Sequence, residues 1–489
     1  RGNMAKMTLT ELLARVGASG SDVRVCNDSR QVRPGDVFVA VRGAHLDGHA
    51  FVEQAVRQGA HYIVAQEPVP VPDSAELIVV QDTSEALGQL AQASYGCPNS
   101  RLTNLAVTGT NGKSTIGYLV RSVLNTAGMP CGLIGTIQYD LVGQVVEAPL
   151  TTPDPLTLAA AAAQMVKHGG RFMMLEASSH ALDQNRLAGI SFSAAAFTNL
   201  TGDHLDYHKT TEAYLAAKTK LFTSLPIHAL AVMNADSDAS AQIASQIRRR
   251  ILWYSVHQEA DITAEIESMD TTGSEFSLVF RNIKEKVQTP LPGLHNVSNH
   301  LAAAGLCFAV GLDVSTVAAG LSALQAVPGR LEPILCGQAE EADIRVFVDY
   351  AHTDDALRNV LTTLRPLCRG RLVAVFGCGG DRDKTKRPRM AQVAQALADW
   401  VIVTSDNPRT EDPASIIQDI VKGFTDTFRH QAVVIEPDRR KAIRLAICEA
   451  KEGDIVLIAG KGHENYQILG TQKVHFSDQE EALRALSEL

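Results

Sequence analysis

The stretch Val107-Thr108-Gly109-Thr110-Asn111-Gly112-Lys113-Ser114-Thr115 limits what this chain can fold into more than any other. An apolar run, Leu105-Ala106-Val107, leads into it, and a helical pattern follows from Ile116 through Leu119 and Val120 to Val123. Strand, glycine loop and helix in that order call for a sheet with a helix packed back across it. The glycines let backbone N–H groups curl around a phosphate, and the helix N-terminus adds positive potential. Lys113 can reach terminal phosphates, and the Ser114 hydroxyl can ligate Mg²⁺. Gly109 stands only three residues before Gly112, so the loop is shorter than the general G-x-x-x-x-G-K-[ST] form. Taken alone, the same letters also suit an ordinary strand-to-helix turn.

The rest of the chain repeats the strand–helix rhythm. Before residue 100, Val37 to Val41 and Tyr62 to Ala65 read as buried strands, Gly59 as a helix C-cap and Val69 to Pro72 as a loop. The helical pattern stops near Tyr95-Gly96-Cys97-Pro98, which places a first boundary there. Next come strands at Cys131 to Ile137, Phe172 to Leu175, Ala194 to Phe197 and Ala229 to Met233, and a helix at Leu156 to Lys167. Ile262 to Val287 alternates apolar and polar, as antiparallel strands do, and a helix over Asn299 to Val310 closes the region. Val327-Pro328-Gly329-Arg330 marks a second boundary, after which strands recur at Ile344 to Val348, Leu372 to Phe376, Trp400 to Val403 and Ile455 to Ala459. The expected fold is α/β in three domains. These are a small N-terminal α/β domain (1–100), a central P-loop ATPase-type parallel sheet (101–328) and a C-terminal Rossmann-like α/β domain (329–489), with site residues at the carboxyl ends of strands.

Composition excludes several classes. Over 489 residues the formal charge is -9, and no long basic run appears, which argues against general nucleic-acid binding. Arg248-Arg249-Arg250 reads as a solvated helix end. The eight cysteines are scattered without C-x-x-C spacing, so neither a zinc site nor a disulfide framework is expected. No signal peptide is visible, and Leu301 to Leu312 is too short to span a bilayer. The expectation is a cytoplasmic monomer without membrane insertion. Arg1-Gly2-Asn3 ahead of Met4 reads as an expression remnant.

Two polar runs follow strands. Glu176 closes Phe172-Met173-Met174-Leu175, where a carboxylate facing a phosphate loop suits Mg²⁺, or could cap the next turn. Ala177 to Arg186 then supplies Ser178, His180, Gln184 and Arg186, a dense set of hydrogen-bonding groups. The second run, Thr198 to His208, contains His204, either a neutral-imidazole metal ligand or a solvated loop histidine.

Thr108 to Thr115, Glu176 to His180, Asn199 to His208, Gly293-Leu294-His295-Asn296, Gly329-Arg330 and Asp349-Tyr350-Ala351-His352 occur in that order. Together they resemble the Mur ligases, ATP-dependent amide-forming enzymes of peptidoglycan precursor synthesis, over essentially the whole chain. Within that family the chain most resembles members that add the third residue to UDP-MurNAc-L-Ala-D-Glu. Asp28-Ser29-Arg30 with His45-Leu46-Asp47-Gly48 resembles their uridine site, which implies contacts from Ser29, His45, Leu46 and Asp47. Thr151, Thr152, Ser178, Gln184 and Arg186 resemble their muramyl-dipeptide contacts. Gly379 to Lys384 and Asp406-Asn407-Pro408-Arg409 resemble the acceptor site, implying roles for Arg382, Asp406, Asn407, Arg409, Gly460 and Glu464.

The pattern Asp-Asn-Pro-Arg belongs to members that add meso-diaminopimelate. Its second carboxylate offers Arg409 a forked partner, whereas lysine would leave that guanidinium facing a like charge. By themselves the same four residues would also suit an Asn-Pro turn with a surface arginine. The resemblance further implies that ATP binds at Gly109, Thr110, Asn111, Gly112, Lys113, Ser114 and Thr115, with Asn296 at adenine, Arg330 and Asp349 at ribose or phosphate, and His352 as a further ATP contact. Mg²⁺ would be held by Ser114 and Glu176, and a second ion by His204 and a CO₂-derived carbamate on Lys218, with Lys220 as the displaced alternative. Lys113, Lys218, His204 and Glu176 are then the catalytic set, and domain closure would exclude water. One letter departs from the family: Asp354 stands where proline is usual, and Asp354-Asp355 are expected to cap a helix instead. The alternatives are a lysine-adding relative, a folylpolyglutamate synthase-like ligase and an inactive scaffold.

Overall fold

The computed structural model describes residues 6–16, 24–43, 46–201 and 205–489. They form two compact units. One runs up to Leu200 and adds His208–Tyr254 and Ala302–Gly320; the other holds Ser255–Leu301 and Leu321–Leu489, with the short piece between Leu200 and His208. Each unit is described by itself.

The first unit contains two sheets. Val25–Cys26, Val37–Val39, Tyr62–Ala65 and Glu76–Val79 pair in that order, all parallel. Helix Thr83–Ser94 begins where the Asp82 carboxylate accepts from the N–H groups of Ser84 and Glu85. Its Gly88 lies against Ala188, whose backbone carbon would be 2.6 Å from a β-carbon at that position, so only glycine permits the approach.

The second sheet is ordered in space as Arg250–Ser255, Leu230–Asn234, Ala194–Phe197, Thr103–Thr108, Phe172–Glu176 and Cys131–Ile134, all parallel. The hairpin Gln138–Asp140 and Val145–Glu147 continues it antiparallel. Thr103–Thr108 thus lies between strands that come much later in the chain. Its register pairs Val107 with Glu176 and Thr108 with Phe197, so three loops leave the sheet at one edge. Buried residues such as Leu105, Ala106 and Val107, all fully covered, are the near-continuous apolar runs that a sheet buried on both faces requires.

In the second unit, Ile262–Asp270, Gly273–Phe280 and Ile283–Thr289 are the expected antiparallel strands. A six-stranded sheet follows, ordered Glu332–Pro333, Arg345–Asp349, Ile455–Ala459, Leu372–Phe376, Trp400–Val403 and Val433–Ile435; the first pair is antiparallel and the rest parallel. Asp349, Ala459, Phe376 and Val403 sit level, so the loops that follow them converge at the carboxyl edge.

Three local expectations need correction. The strand expected to reach Ile137 ends at Ile134, because Gly135 and Thr136 turn in against Glu176. The helix expected from Asn299 starts at Leu294, since the N–H groups of Asn296 and Val297 already bond to the Gly293 carbonyl. The helix Asp354–Leu364 is capped by Thr353, whose hydroxyl accepts from Ala356 N–H, while Asp354 and Asp355 occupy its first turn. Asp354 therefore stands at the first helical position, where proline is also favoured, so the departure leaves the helix start intact. All eight cysteines are unbridged, with Cys26, Cys131, Cys307 and Cys378 buried. No helix among the described residues is long and apolar enough to cross a membrane.

Candidate active site: a phosphate loop and an acceptor cluster

In the first unit the glycine loop is tied down on every side. Gly109 and Gly112 take φ of 148° and 90°, and helix Lys113–Thr126 starts directly after them. The N–H of Thr110 bonds to the Asn199 carbonyl at 2.9 Å, and that of Asn111 to the Asn199 side chain at 3.0 Å. Thr198 donates to the Asn111 carbonyl at 2.7 Å. A β-carbon on Gly109 would collide with the Thr198 hydroxyl, so the loop can lie flat only because that position is glycine. Lys113 folds back on the loop, its Nζ donating to the Gly109 and Thr110 carbonyls at 3.0 and 2.8 Å.

Glu176 is 1% exposed and faces this loop. Its carboxylate accepts from Ser114 Oγ at 3.0 Å, Thr136 Oγ1 at 2.9 Å and Thr136 N–H at 3.1 Å. A buried carboxylate needs such partners, and hydrogen bonds to charged groups contribute roughly 1.5–3 kcal/mol each. Ser114, Thr136 and Glu176 present hard oxygens, the donor type Mg²⁺ takes, so the residues fit the ion. No cluster of three or more His, Cys, Asp or Glu forms among the described residues. His204 lies outside the described residues.

Lys218 is almost fully covered, at 1%. Its Nζ donates to the Gly109 carbonyl at 2.9 Å and lies 4.3 Å from the Tyr214 ring centroid. The displaced alternative, Lys220, is on the surface, paired with Asp183 at 2.9 Å. Thr151 donates to or accepts from Thr136 at 3.0 Å. Thr152 holds the Glu176 carbonyl at 2.6 Å and Ser178 Oγ at 3.1 Å, and Arg186 reaches the Thr152 carbonyl at 2.7 Å and Gln184 at 2.8 Å. Thr151, Thr152, Ser178, Gln184 and Arg186 are thus one connected group beside Glu176.

The residues expected at uridine gather around helix Val52–Arg57. Ser29 is buried and donates to Gln54 on that helix at 2.9 Å. Asp47 caps the turn Gly48–Phe51 that leads into it and accepts from Arg42 at 3.1 Å. The Arg30 guanidinium, hydrogen-bonded to Asp28, holds that carboxyl down to about 2. Leu46 is 68% exposed, and His45 lies outside the described residues.

The second unit gathers the remaining set. Asp349 is buried, and its oxygens accept from the N–H groups of Leu331 and Ala351 at 2.7 and 2.8 Å. Burial pushes its pKa up, opposed by Arg330. Arg330 lies over the Tyr350 ring at 4.9 Å, and the His352 and His463 rings flank Tyr350 at 4.7 and 5.0 Å. Asn296 is buried, its amide donating to the Pro292 carbonyl at 2.8 Å and accepting from Asn299 at 3.2 Å. Its side chain therefore already has partners where an adenine contact was expected.

At the carboxyl edge of the six-stranded sheet, three loops meet. Asn407 donates to Glu464 Oε2 at 2.9 Å, Lys461 Nζ donates to the same oxygen at 3.0 Å, and Lys461 to Asp406 is 4.0 Å. Gly460, at φ 118°, leaves room for Asp406, whose Oδ2 would be 2.7 Å from a β-carbon there. Arg409 also has positive φ, 53°, and its Nη1 donates to the Gly380 carbonyl at 2.8 Å. Arg382 is exposed beside Asp381, whose N–H donates to Glu411 at 2.7 Å. The hydrogen-bonded Arg387 guanidinium holds the Glu411 carboxyl down to about 2, clamping the 379–384 loop to the 406–411 loop.

Several contributors escaped the sequence reading. Thr136 follows a strand with only Gly135 as a signal. Lys461 lay within a glycine-flanked motif, but nothing there marked it as fully buried. Arg439, in the basic run Arg439-Arg440-Lys441, is 0% exposed with Asp478 and braces the Ala459 carbonyl at 3.0 Å. A basic run on a helix ordinarily signals a solvated face, so sequence offered no warning.

Three family models match this arrangement: Mur ligase family, catalytic domain, over residues 24–95; Mur ligase middle domain over 107–307; and Mur ligase, glutamate ligase domain over 329–462. Among curated relatives, the UDP-N-acetylmuramoyl-L-alanyl-D-glutamate--2,6-diaminopimelate ligase of Gloeobacter violaceus is 44% identical, covering 99% of each chain. The protein of the same name from Geobacillus thermodenitrificans is 42% identical over 99% of this chain and 100% of that one. A solved structure of a ligase with that name superposes with TM-score 0.69 at 36% identity, covering 95% of this chain and 94% of the other. The chain belongs to the Mur ligase family.

Proposed function

We propose that this chain is the Mur ligase that joins 2,6-diaminopimelate to the D-Glu γ-carboxylate of UDP-MurNAc-L-Ala-D-Glu, in the meso form of the acceptor, at the expense of ATP. The observation that carries the reading is the pair of constellations above on a chain 44% identical, end to end, to a ligase of that name. The relatives' names support diaminopimelate over lysine, and the match of a Mur ligase model to residues 24–95 supports this reading over a folylpolyglutamate synthase.

ATP is read as lying along Gly109 to Thr115, with Asn296, Arg330, Asp349 and His352 as its further contacts. Ser114 and Glu176 would hold Mg²⁺, which supplies charge neutralisation to the phosphates when bound. Lys113 leaves its loop carbonyls for the γ-phosphate as the D-Glu carboxylate attacks; the bond from the γ-phosphorus to the bridging oxygen breaks, giving an acyl phosphate and ADP. Thr151, Thr152, Ser178, Gln184 and Arg186 orient the dipeptide that carries this carboxylate, and Ser29, His45, Leu46 and Asp47 are assigned to its uridine end. The amine of diaminopimelate then attacks the acyl carbon, and the tetrahedral adduct collapses to amide and phosphate. Asp406, Asn407, Gly460 and Glu464 are assigned to the acceptor's amine, and Arg382 and Arg409 to its carboxylates.

A carbamate on Lys218, with His204, belongs to the same reading. Its support is the burial of Nζ at the mouth of the phosphate loop. A carbamylated nitrogen keeps one N–H, so the bond to the Gly109 carbonyl survives the modification, while a buried cation is exchanged for an anionic oxygen ligand. The three expected domains, 1–100, 101–328 and 329–489, map onto uridine, ATP and acceptor in turn. The reading extends to a cytoplasmic monomer, which fractionation and sedimentation would test. Hydroxylamine should trap the acyl phosphate only when ATP and UDP-MurNAc-L-Ala-D-Glu are both present; absence of hydroxamate under those conditions would sink the mechanism.

A further inference from the structure

Lys461 is the one residue of the acceptor cluster to which the reading above gives no work, and its surroundings are unusual. It is 0% exposed, and its amine lies among carboxylates. Burying a cation this completely is costly unless its partners are fixed and charged. Those partners are Glu464 Oε2 at 3.0 Å, Asn407 Oδ1 at 3.2 Å and, at 4.0 Å, Asp406 Oδ1.

These contacts have two consequences. The first is orientation. Asn407 Oδ1 accepts from Lys461 and from the Ile468 N–H at 3.0 Å, which leaves its Nδ2 to donate to Glu464 Oε2 at 2.9 Å. The amide cannot flip without placing a donor against the ammonium. Glu464 Oε2 is thereby saturated by two donors, while its Oε1 has no hydrogen-bond partner among the described residues. The Asp406 carboxylate likewise accepts no hydrogen bond among them, although the residue is only 6% exposed. Each carboxylate thus keeps an oxygen able to take a further donor, as an acceptor's amine would supply.

The second consequence is charge. Arg439, which lies behind this loop, has its charge taken by Asp478 through bonds of 2.7 Å to both carboxylate oxygens. Lys461 thus faces two carboxylates, Asp406 and Glu464, and its charge offsets one of them; with Arg409 assigned to the acceptor's carboxylate, the pair is left to the acceptor's amine.

We propose that Lys461 is a positioning residue for the acceptor's amine and that its fixed charge sets how cationic an acceptor the site prefers. The proposal rests on the reading of this cluster as the diaminopimelate site. With Lys461 neutralised, two carboxylates would face the ligand uncompensated, and Asn407 Oδ1 and Glu464 Oε2 would each lose one of their two donors. The site should then lose grip on diaminopimelate and discriminate less against L-lysine, which has one carboxylate fewer and is the more cationic.

The test uses the full chain with UDP-MurNAc-L-Ala-D-Glu and ATP, measuring kcat and KM for meso-diaminopimelate, L-lysine and ATP. Lys461→Met should raise KM for diaminopimelate about tenfold or more and lower the diaminopimelate-to-lysine ratio of kcat/KM by about tenfold, with KM for ATP unchanged. Lys461→Arg, which keeps the charge, should keep that ratio. Lys461→Gln gives a second neutral variant should the methionine not fold. An unchanged ratio in the neutral variants overturns the proposal, as does a parallel rise in KM for ATP and diaminopimelate. If neither neutral variant yields folded protein, Lys461 is a structural residue and the proposal fails. Absence of turnover with diaminopimelate in the unaltered chain would instead refute the parent reading, and this proposal with it.

Discussion

The glycine loop and the cluster at the carboxyl edge of the six-stranded sheet, proposed above as the phosphate and acceptor sites, are built in opposite ways. The loop is nine consecutive residues of backbone N–H groups, one lysine and a helix end. Its geometry follows from glycine φ values and from Asn199 and Thr198 pinning it. The acceptor cluster draws side chains from loops at 379–384, 406–411 and 460–464, and holds them by ion pairs and hydrogen bonds. Backbone cradles bind what every substrate of the class shares. Side-chain clusters bind what distinguishes one acceptor from another, so substitutions in the two places should differ in kind.

The largest effect is expected in the loop. Lys113→Ala should cut turnover by about 10³-fold or more, because transition-state charge on the transferred phosphate loses its nearest cation. A parallel Tm measurement separates loss of that cation from loss of the fold. Near-normal phosphate release from this variant would break the comparison at its root. Glu176→Gln should follow, at roughly 10²-fold, with a raised Mg²⁺ requirement in a titration and complete loss of activity in EDTA.

In the cluster the signature should move to KM. Arg409→Met should raise KM for diaminopimelate by roughly 10- to 100-fold, with KM for ATP unaltered, because a forked contact to one carboxylate is lost. Equal changes in both constants would make Arg409 a fold residue.

A smaller effect concerns pH. Burial holds His300 down to about 4 and, with Arg330 and Lys461 nearby, His463 as well; both lie in the second unit. The unfolded chain takes up these protons first, near pH 6.5, so stability is full above that value and falls as pH drops towards 4. The Tm should decline across that window, and His300→Leu should flatten the decline while sacrificing the bond from Nδ1 to the Asn296 carbonyl at 2.7 Å. A Tm–pH curve of unchanged slope in the variant would remove His300 from the account. The smallest effect is Asp354→Pro. It restores the family's residue at the first helical position and gives up an exposed pair with Arg389 at 3.1 Å, so stability should shift by less than about 1 kcal/mol in denaturant titrations.

The same contrast explains what could be read from sequence. Loop, helix and flanking strands are local, so the letters from Leu105 to Val123 carry nearly the whole structure. Glu176 was legible because a carboxylate ending an apolar strand is conspicuous. Thr136 was not, because its place depends on the strand Cys131–Ile134 lying beside Phe172–Glu176, a pairing across 40 residues. In the acceptor cluster, Asp406, Asn407, Arg409 and Glu464 were named through family resemblance alone. Burial of Lys461, Arg439 and Arg387 is a tertiary property with no local pattern to betray it. At helix Asp354–Leu364 the start was legible but the cap was not, because Thr353, one residue before the expected pair, supplies the capping oxygen.

The most direct test of the central claim is phosphate release with ATP and UDP-MurNAc-L-Ala-D-Glu, comparing meso-diaminopimelate with L-lysine as acceptor. The account expects turnover with diaminopimelate and little or none with lysine. Preference for lysine would contradict the roles given to Arg409 and Lys461, and silence with both acceptors would contradict the ligase itself.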